Sequence, residues 1–289
     1  MTTIAMAGSG DIAAFVARAL AKTHSVRIFD TNNGSLQCEG AEQAKSLVDL
    51  AKGADLVVLC TDADDAREAL LRDTDWLKGI SVVIDVGQGD PDNSRSLSKN
   101  LNDIGISLVD APLHTENTEA IADASAIFFG GPADVLGSVR PILEAVCPKV
   151  IHCGDAGSGH AMRLVVAAIA ACNRLITYEC AAMGAKNGLT VADMATVLNK
   201  SSGYNSASAR VLPALVANGQ TADATVGDCA NDLRKASALG MRYGAPMLIA
   251  TMVRSTLDAA SHRLGNSASI DELAKIWEID AGLPASSAH

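Results

Sequence analysis

TIAMAGSGDIAAFVARALAKTHSVRIFD, residues 3–30, is the stretch that decides how this chain folds. Ile4, Ala5, Met6 and Ala7 form a short apolar run that ends in Gly8-Ser9-Gly10. Apolar residues then recur at Ile12, Phe15, Val16, Ala19 and Leu20, a spacing of three and four that lays them along one face of a helix. A second apolar-rich run, residues 26–29, ends in Asp30. The order is strand, tight turn, helix, strand, acid. Such a turn lets the backbone N–H groups of Gly8, Ser9, Gly10, Asp11 and Ile12 approach a pyrophosphate, and the helix offers it a positive end. Ala13 supplies the third small residue of the fingerprint. Asp30 stands where a carboxylate accepts hydrogen bonds from the adenine-ribose diol of a dinucleotide.

Composition sets outer limits. Length, 289 residues, allows one large or two medium domains. With 48% apolar residues and only 3% aromatic, the core must be built from Ala, Val, Leu and Ile. A formal charge of −10 excludes nucleic acid and anionic membrane surfaces as partners. The first residues carry neither a basic segment nor a long apolar core, so no signal peptide is expected. The longest apolar run, residues 164–172, is too short to span a bilayer. Seven cysteines without a Cys-x-x-Cys pair imply reduced thiols and a cytoplasmic protein.

Beyond Asp30, apolar runs at 56–60, 81–86, 107–109, 126–129 and 149–152 alternate with helical patterns at 44–50, 64–71, 92–101 and 133–146. Alternation of this kind predicts an α/β fold, a doubly wound parallel sheet covered on both faces. Ligands of such sheets lie past the carboxyl ends of the strands. Cys60, Thr61, Asp62, Gly87, Gln88 and His114 fall there, beside Gly8-Ser9-Gly10 and Asp30, and are candidates for one crevice. Cys60 also suits simple packing, and Thr61 and Asp62 equally suit a helix cap. After Gly154 only helical patterns remain: 160–187, 191–198, 206–217, 226–243, 246–264 and 270–279. The expectation is therefore a Rossmann-type dinucleotide-binding domain over 1–155 and an all-helical substrate and oligomerisation domain over 156–289. The first of these helices is apolar on every side between Leu164 and Cys172. That places it at the centre of the helical domain or against another subunit.

The order of these motifs resembles the β-hydroxyacid dehydrogenase family, which includes 3-hydroxyisobutyrate dehydrogenases and tartronate semialdehyde reductases. Gly8-Ser9-Gly10 matches the cofactor turn, and Asp110-Ala111-Pro112 the start of the substrate loop. Gly157-Ser158-Gly159 opens the interdomain helix, while Asn199-Lys200-Ser201-Ser202-Gly203 and Asp232-Leu233 resemble the helical-domain motifs. The resemblance implies a Rossmann domain, a helical domain, a nicotinamide dinucleotide and a homodimer or homotetramer. It also makes Leu113, His114, Thr115 and Asn231 substrate-binding candidates. Departures fall on the chemistry. Arg163 replaces the catalytic lysine and Ala167 the asparagine one turn later. His114-Thr115-Glu116 replaces Ser-Gly-Gly, Gly87-Gln88 a Ser-Thr pair, and Asn231 a lysine.

Asp30 repels a 2′-phosphate, and residues 31–40 hold no Lys or Arg to pair with one, so NAD is expected over NADP. Arg27, three residues before Asp30, points to the opposite face of its strand. Arg163, protonated near neutral pH, is suited to orienting an anionic small-molecule substrate rather than to moving a proton. His160, one helical turn earlier, and His114 are the candidate proton relays, with His160 preferred for its rigid placement. A structural ion pair for Arg163 and an exposed loop histidine for His114 are the bland alternatives. The reaction expected is NAD(P)-dependent oxidoreduction of a small polar hydroxy acid or its carbonyl counterpart. The alternatives are imine-reductase-like C=N reduction and a catalytically silent dinucleotide-binding sensor or partner protein.

Overall fold

The computed structural model describes residues 2–32, 36, 38–61, 64–115, 125–217, 219, 221–222 and 224–277, in two compact units, Met1–Arg163 and Leu164–His289. Asp62 and Glu116 lie outside the described residues, as do 278 and 279 of the helix expected over 270–279.

The first unit begins β1 (Thr3–Gly8), α1 (Gly10–Ala21), β2 (Ser25–Asp30), β3 (Ala41–Gln43), α2 (Leu47–Ala51), β4 (Leu56–Cys60) and α3 (Asp64–Arg72). It continues β5 (Val82–Asp85), α4 (Pro91–Asn102), β6 (Ser107–Asp110), β7 (Leu113–His114), β8 (Ala126–Gly130), α5 (Ala133–Val146) and β9 (Val150–Gly154), and closes with the start of α6 (Ser158–Lys186). The strands form one sheet in the order β3-β2-β1-β4-β5-β6-β8-β7, with β9 on β8. From β3 to β6 every pair is parallel. Neighbours on a strand part to opposite faces. Ile4 and Met6 of β1 and Val58 of β4 pack under α1 and α5, whereas Ala5, Ala7, Val57 and Leu59 pack with Leu70, Leu71 and Leu101 of α3 and α4. This two-sided burial is why the strands read as unbroken apolar runs.

β3 and β7 are additions to the sequence reading. They are three and two residues long, too short to carry a periodic signal. β7 returns antiparallel to β8, and β8 meets β6 antiparallel at the single pair Asp110 and Gly130.

The second unit contains the remainder of α6, then α7 (Val191–Leu198), α8 (Ser206–Ala217), α9 (Val226–Arg242), α10 (Leu248–Leu264) and a 3-10 segment, Ile270–Trp277. Thr190 caps α7 through the Asp193 N–H, and Thr225 and Asp228 form a reciprocal cap on α9. Leu164, Ala168, Ala171, Leu175 and Tyr178 of α6 enter the core of this unit. The opposite side is not covered: Val165 is 50% exposed, Ile169 56% and Met183 62%. The expectation of a central, fully surrounded helix is thus corrected within this chain. All-round apolar composition says that a helix needs cover, not that its own chain provides it. By length and composition alone α6 is also long and apolar enough to cross a bilayer, although the run at 164–172 is not.

Candidate functional site

The strand order reverses between β1 and β4, and parallel register lines up the residues at the carboxyl edge. Gly8 stands beside Asp30 on one side and Cys60 on the other. One step further, Leu59 pairs with Asp85, and Asp85 with Asp110. Residues scattered over a hundred positions of sequence therefore share one edge. Such a reversal opens a crevice for a ligand.

The turn after β1 has the features an anion needs. The Ser9 N–H donates to the Cys60 carbonyl at 3.2 Å, which holds the turn against β4. Ser9 is extended and gives α1 no side-chain cap. Gly10 adopts φ +82°, a left-handed conformation that costs glycine little. The first-turn N–H groups of α1 thus face outward without a protein cap from Ser9, next to exposed Asp11 and half-buried Ile12. Ile12 packs its side chain on the core, so only its backbone suits a ligand.

Asp30 organises the loop that follows it. Its two carboxylate oxygens accept the Asn32 N–H at 2.8 Å and the Leu36 N–H at 2.7 Å. A carboxylate has further acceptor capacity, so these bonds orient it without exhausting it. Arg27 lies on the other face as expected, donating to the Asp49 and Lys52 carbonyls.

On the far side of the switch point, Gly87 and Gln88 form a turn after β5. The Gln88 N–H reaches the Thr61 carbonyl at 3.3 Å. A Cβ on Gly87 would collide with that same carbonyl, so no larger residue fits there. Thr61 and Gly87 are buried, and Gln88 is half-buried.

Beneath this turn lies a charged cluster that the sequence reading missed. Arg67 and Asp85, each 1% exposed, pair at 2.6 Å. Arg67 also pairs with Asp64. Burial works against the Arg67 charge, but the Asp85 and Asp64 carboxylates outweigh it and raise its pKa. Asp110 accepts the Gly157 N–H at 2.5 Å and the His160 N–H at 2.8 Å, capping the start of α6. Burial raises the Asp110 pKa, with the nearby His160 and these backbone bonds opposing. The signal for Arg67 was available: positions 67, 70 and 71 share the buried face of α3, and the arginine occupies an apolar slot.

His160, the preferred candidate for a proton relay, is fully buried, with Nδ1 2.8 Å from Ser94 Oγ and Nε2 3.0 Å from the Gly87 carbonyl. Both ring nitrogens are engaged within the protein, and burial lowers its pKa despite Asp85 and Asp110. Leu113 is buried in the core and pairs with Ile127, because alternation along β7 turns 113 inward and 114 outward. His114 is half-buried and stacks on Phe128 at 6.0 Å, and Thr115 accepts a hydrogen bond from Ser125 at 3.0 Å. Arg163 is buried, one turn after His160 on α6. Asn231 belongs to the second unit, where it is exposed and its amide oxygen meets Arg234 at 3.4 Å.

A doubly wound sheet with an uncapped glycine turn at its switch point, followed by a helical unit, defines a dinucleotide-binding protein of the Rossmann type. Two family profiles agree. Residues 3–154 match the NAD binding domain of 6-phosphogluconate dehydrogenase, and residues 157–277 match the NAD-binding segment of NADP-dependent 3-hydroxyisobutyrate dehydrogenase. The 3-hydroxyisobutyrate dehydrogenase of Pseudomonas aeruginosa is 31% identical over 220 residues, 71% of this chain and 72% of that one. An NAD-dependent L-serine dehydrogenase of the same organism is 29% identical over 213 residues, with the same two coverages. The solved 3-hydroxyisobutyrate dehydrogenase of Mycobacterium tuberculosis with L-serine superposes with a TM-score of 0.86 at 21% identity, covering 96% of this chain and 99% of that one. The chain belongs to the β-hydroxyacid dehydrogenase family, the NAD(P)-dependent oxidoreductases of that type.

Proposed function

We propose that this protein uses NAD in preference to NADP to interconvert a small, anionic hydroxy acid and its carbonyl counterpart. The observation that carries the reading is the edge register, which sets Asp30 beside Gly8 and Gly8 beside Cys60 across the switch point. The uncapped turn at Gly8, Ser9 and Gly10 would hold the pyrophosphate through its own N–H groups and those of Asp11 and Ile12, and Asp30 would hold the adenine ribose. Cys60, Thr61, Gly87 and Gln88 would border the nicotinamide end. The bound dinucleotide supplies the hydride chemistry. The chain's own task is to hold and orient the substrate and to move one proton.

A guanidinium is a poor proton donor or acceptor, so the role of Arg163 in this reading is to orient a carboxylate or to stabilise a developing oxyanion. With both nitrogens of His160 engaged, His114 is the remaining candidate to pass a proton. Thr115 and Asn231 are proposed to contact substrate through their polar side chains, and Leu113 through its backbone alone. Residues 1–155 and 156–289 would serve as cofactor and substrate domains. The exposed stripe of α6, Val165, Ile169, Ile176 and Met183, supports a homodimer or homotetramer, which a buried apolar interface would stabilise. A cytoplasmic location fits the reduced cysteines.

The test follows the near-ultraviolet absorbance of the reduced nicotinamide against hydroxy acids, aldehydes and imines, with 3-hydroxyisobutyrate and L-serine included. Turnover of a hydroxy acid supports the proposal. Turnover of imines alone would move the chain to C=N reduction. NADH binding without turnover on any of them would favour a silent dinucleotide-binding partner.

A further inference from the structure

The backbone is gripped on both sides of Gly87. Its N–H donates to Asp85 Oδ1 at 3.0 Å, and its carbonyl faces His160 Nε2 at 3.0 Å. A carbonyl can only accept, so Nε2 carries the hydrogen. Ser94 Oγ lies 2.8 Å from Nδ1 and 3.1 Å from the Asp90 carbonyl, so its single O–H is shared between these two acceptors and the contact steadies the ring plane. Asp85 is fixed in turn by Arg67 at 2.6 Å, and the His160 backbone by Asp110 at 2.8 Å. His160, Asp85 and Ser94 are all nearly inaccessible to solvent. A fully buried histidine needs partners on both ring nitrogens, and here one of the two is the Gly87 carbonyl, so satisfying the histidine and holding the turn are the same contact.

The turn it holds is at the crevice. β2 carries Asp30 on the adenine side of the switch point, so a dinucleotide extended across β1 and β4 brings its other end over β5 and the Gly87–Gln88 turn. We propose that His160, Ser94, Asp85 and Arg67 are positioning residues that set the two peptide groups flanking Gly87 for the nicotinamide half of the cofactor. The inference rests on the reading of this crevice as a dinucleotide site. It gives His160 a role distinct from proton transfer, with buried Gly87 passing its placement on to half-buried Gln88.

The experiment compares NADH with ADP-ribose, which has the adenine and pyrophosphate but lacks the nicotinamide. Affinities of both are measured by titration calorimetry for the wild type, His160→Phe, His160→Gln and Ser94→Ala, with the thermal midpoint of each. In His160→Phe the NADH dissociation constant should rise about tenfold, the scale of one unsatisfied buried acceptor, while ADP-ribose changes less than about twofold. His160→Gln keeps an N–H donor and should recover NADH binding to within about threefold of wild type. Ser94→Ala should fall between them. Equal loss of both ligands in His160→Phe, or no loss of either, overturns the positioning role. Failure of the wild type to bind either ligand overturns the dinucleotide reading itself, an outcome separable from the other two.

Discussion

Replacing Arg67 with methionine tests the buried cluster most directly. Methionine keeps much of the apolar stem, so the change removes charge and hydrogen bonds more than packing. What remains is Asp85, 1% exposed, facing no guanidinium. Removing one partner of a buried ion pair costs about 3–5 kcal/mol, mostly the penalty of an uncompensated charge. Asp64 adds little to that sum, because it is partly solvated. For a unit of this size, about 2–4 °C of melting temperature accompany each kcal/mol, so the midpoint should fall by roughly 6–20 °C. Calorimetry at pH 7 reads the shift. The companion variant Arg67→Met/Asp85→Asn removes the stranded charge, and it should be less destabilised than the sum of the single changes by about 2 kcal/mol or more. Single changes that each cost under ~1 kcal/mol and simply add would refute the claim that this pair is desolvated and coupled.

Asp30→Ala should bring NADH and NADPH affinities together from an initial preference of about tenfold for NADH, read by titration calorimetry. Arg163→Ala should lower kcat/KM for an anionic substrate by the equivalent of roughly 2–4 kcal/mol while NADH affinity stays nearly constant, and His114→Ala should lower kcat while NADH affinity stays nearly constant, read by steady-state kinetics and calorimetry. His160, whose pKa is depressed by burial with Arg67, Asp85 and Asp110 facing it, contributes stability that is present above the unfolded histidine pKa of about 6.5 and is lost as pH falls toward its folded pKa, at up to ~1.4 kcal/mol per pH unit. Asp110, raised by burial, acts with the opposite sign just above the ordinary carboxylate range, and His160→Gln should flatten only the histidine part of a urea-midpoint profile. Val165→Asp with Ile169→Asp on the exposed side of α6 should convert the proposed homo-oligomer to monomers by light scattering, whereas the same pair placed on exposed α4 positions should not.

Much of the fold was legible because its signals are periodic. The apolar runs that became β1, β4, β5 and β8 lie in strands buried on both faces, and their sheet positions follow from alternation with helices. β3 and β7 left no trace, since two or three residues cannot show a period. The crevice was legible where chemistry sits at strand ends, at Gly8, Asp30 and Gly87. The partners of those residues were not, because a hydrogen bond between Ser94 and His160 spans 66 positions and has no local signature. The partners of His160 were hidden for the same reason: on a helix with Arg163 three residues away it suggests a site, and only the fold shows Asp110 and Gly87 bonded to it.

The turn after β5 and the start of α6 are connected through one set of contacts. The Thr61 carbonyl leaves no room for a Cβ on Gly87, so this turn lies closer to β4 than a side chain would allow. A turn drawn in that far brings the Gly87 carbonyl within 3.0 Å of His160. His160 is held there because Asp110, at the end of β6, accepts its N–H and that of Gly157. Those bonds fix the first turn of α6, and the helix then carries Arg163 one turn further at a set angle. Arg163 is therefore placed by the same residues that brace the turn at Gly87. A change at Asp110 should disturb both together. Asp110→Asn would lose charge-assisted acceptance of two buried N–H groups, and it should weaken NADH binding and substrate specificity in one step. Arg163→Ala should touch specificity alone. If Asp110→Asn altered only one of the two, turn and helix would be independent, and the contacts through His160 would not be what joins them.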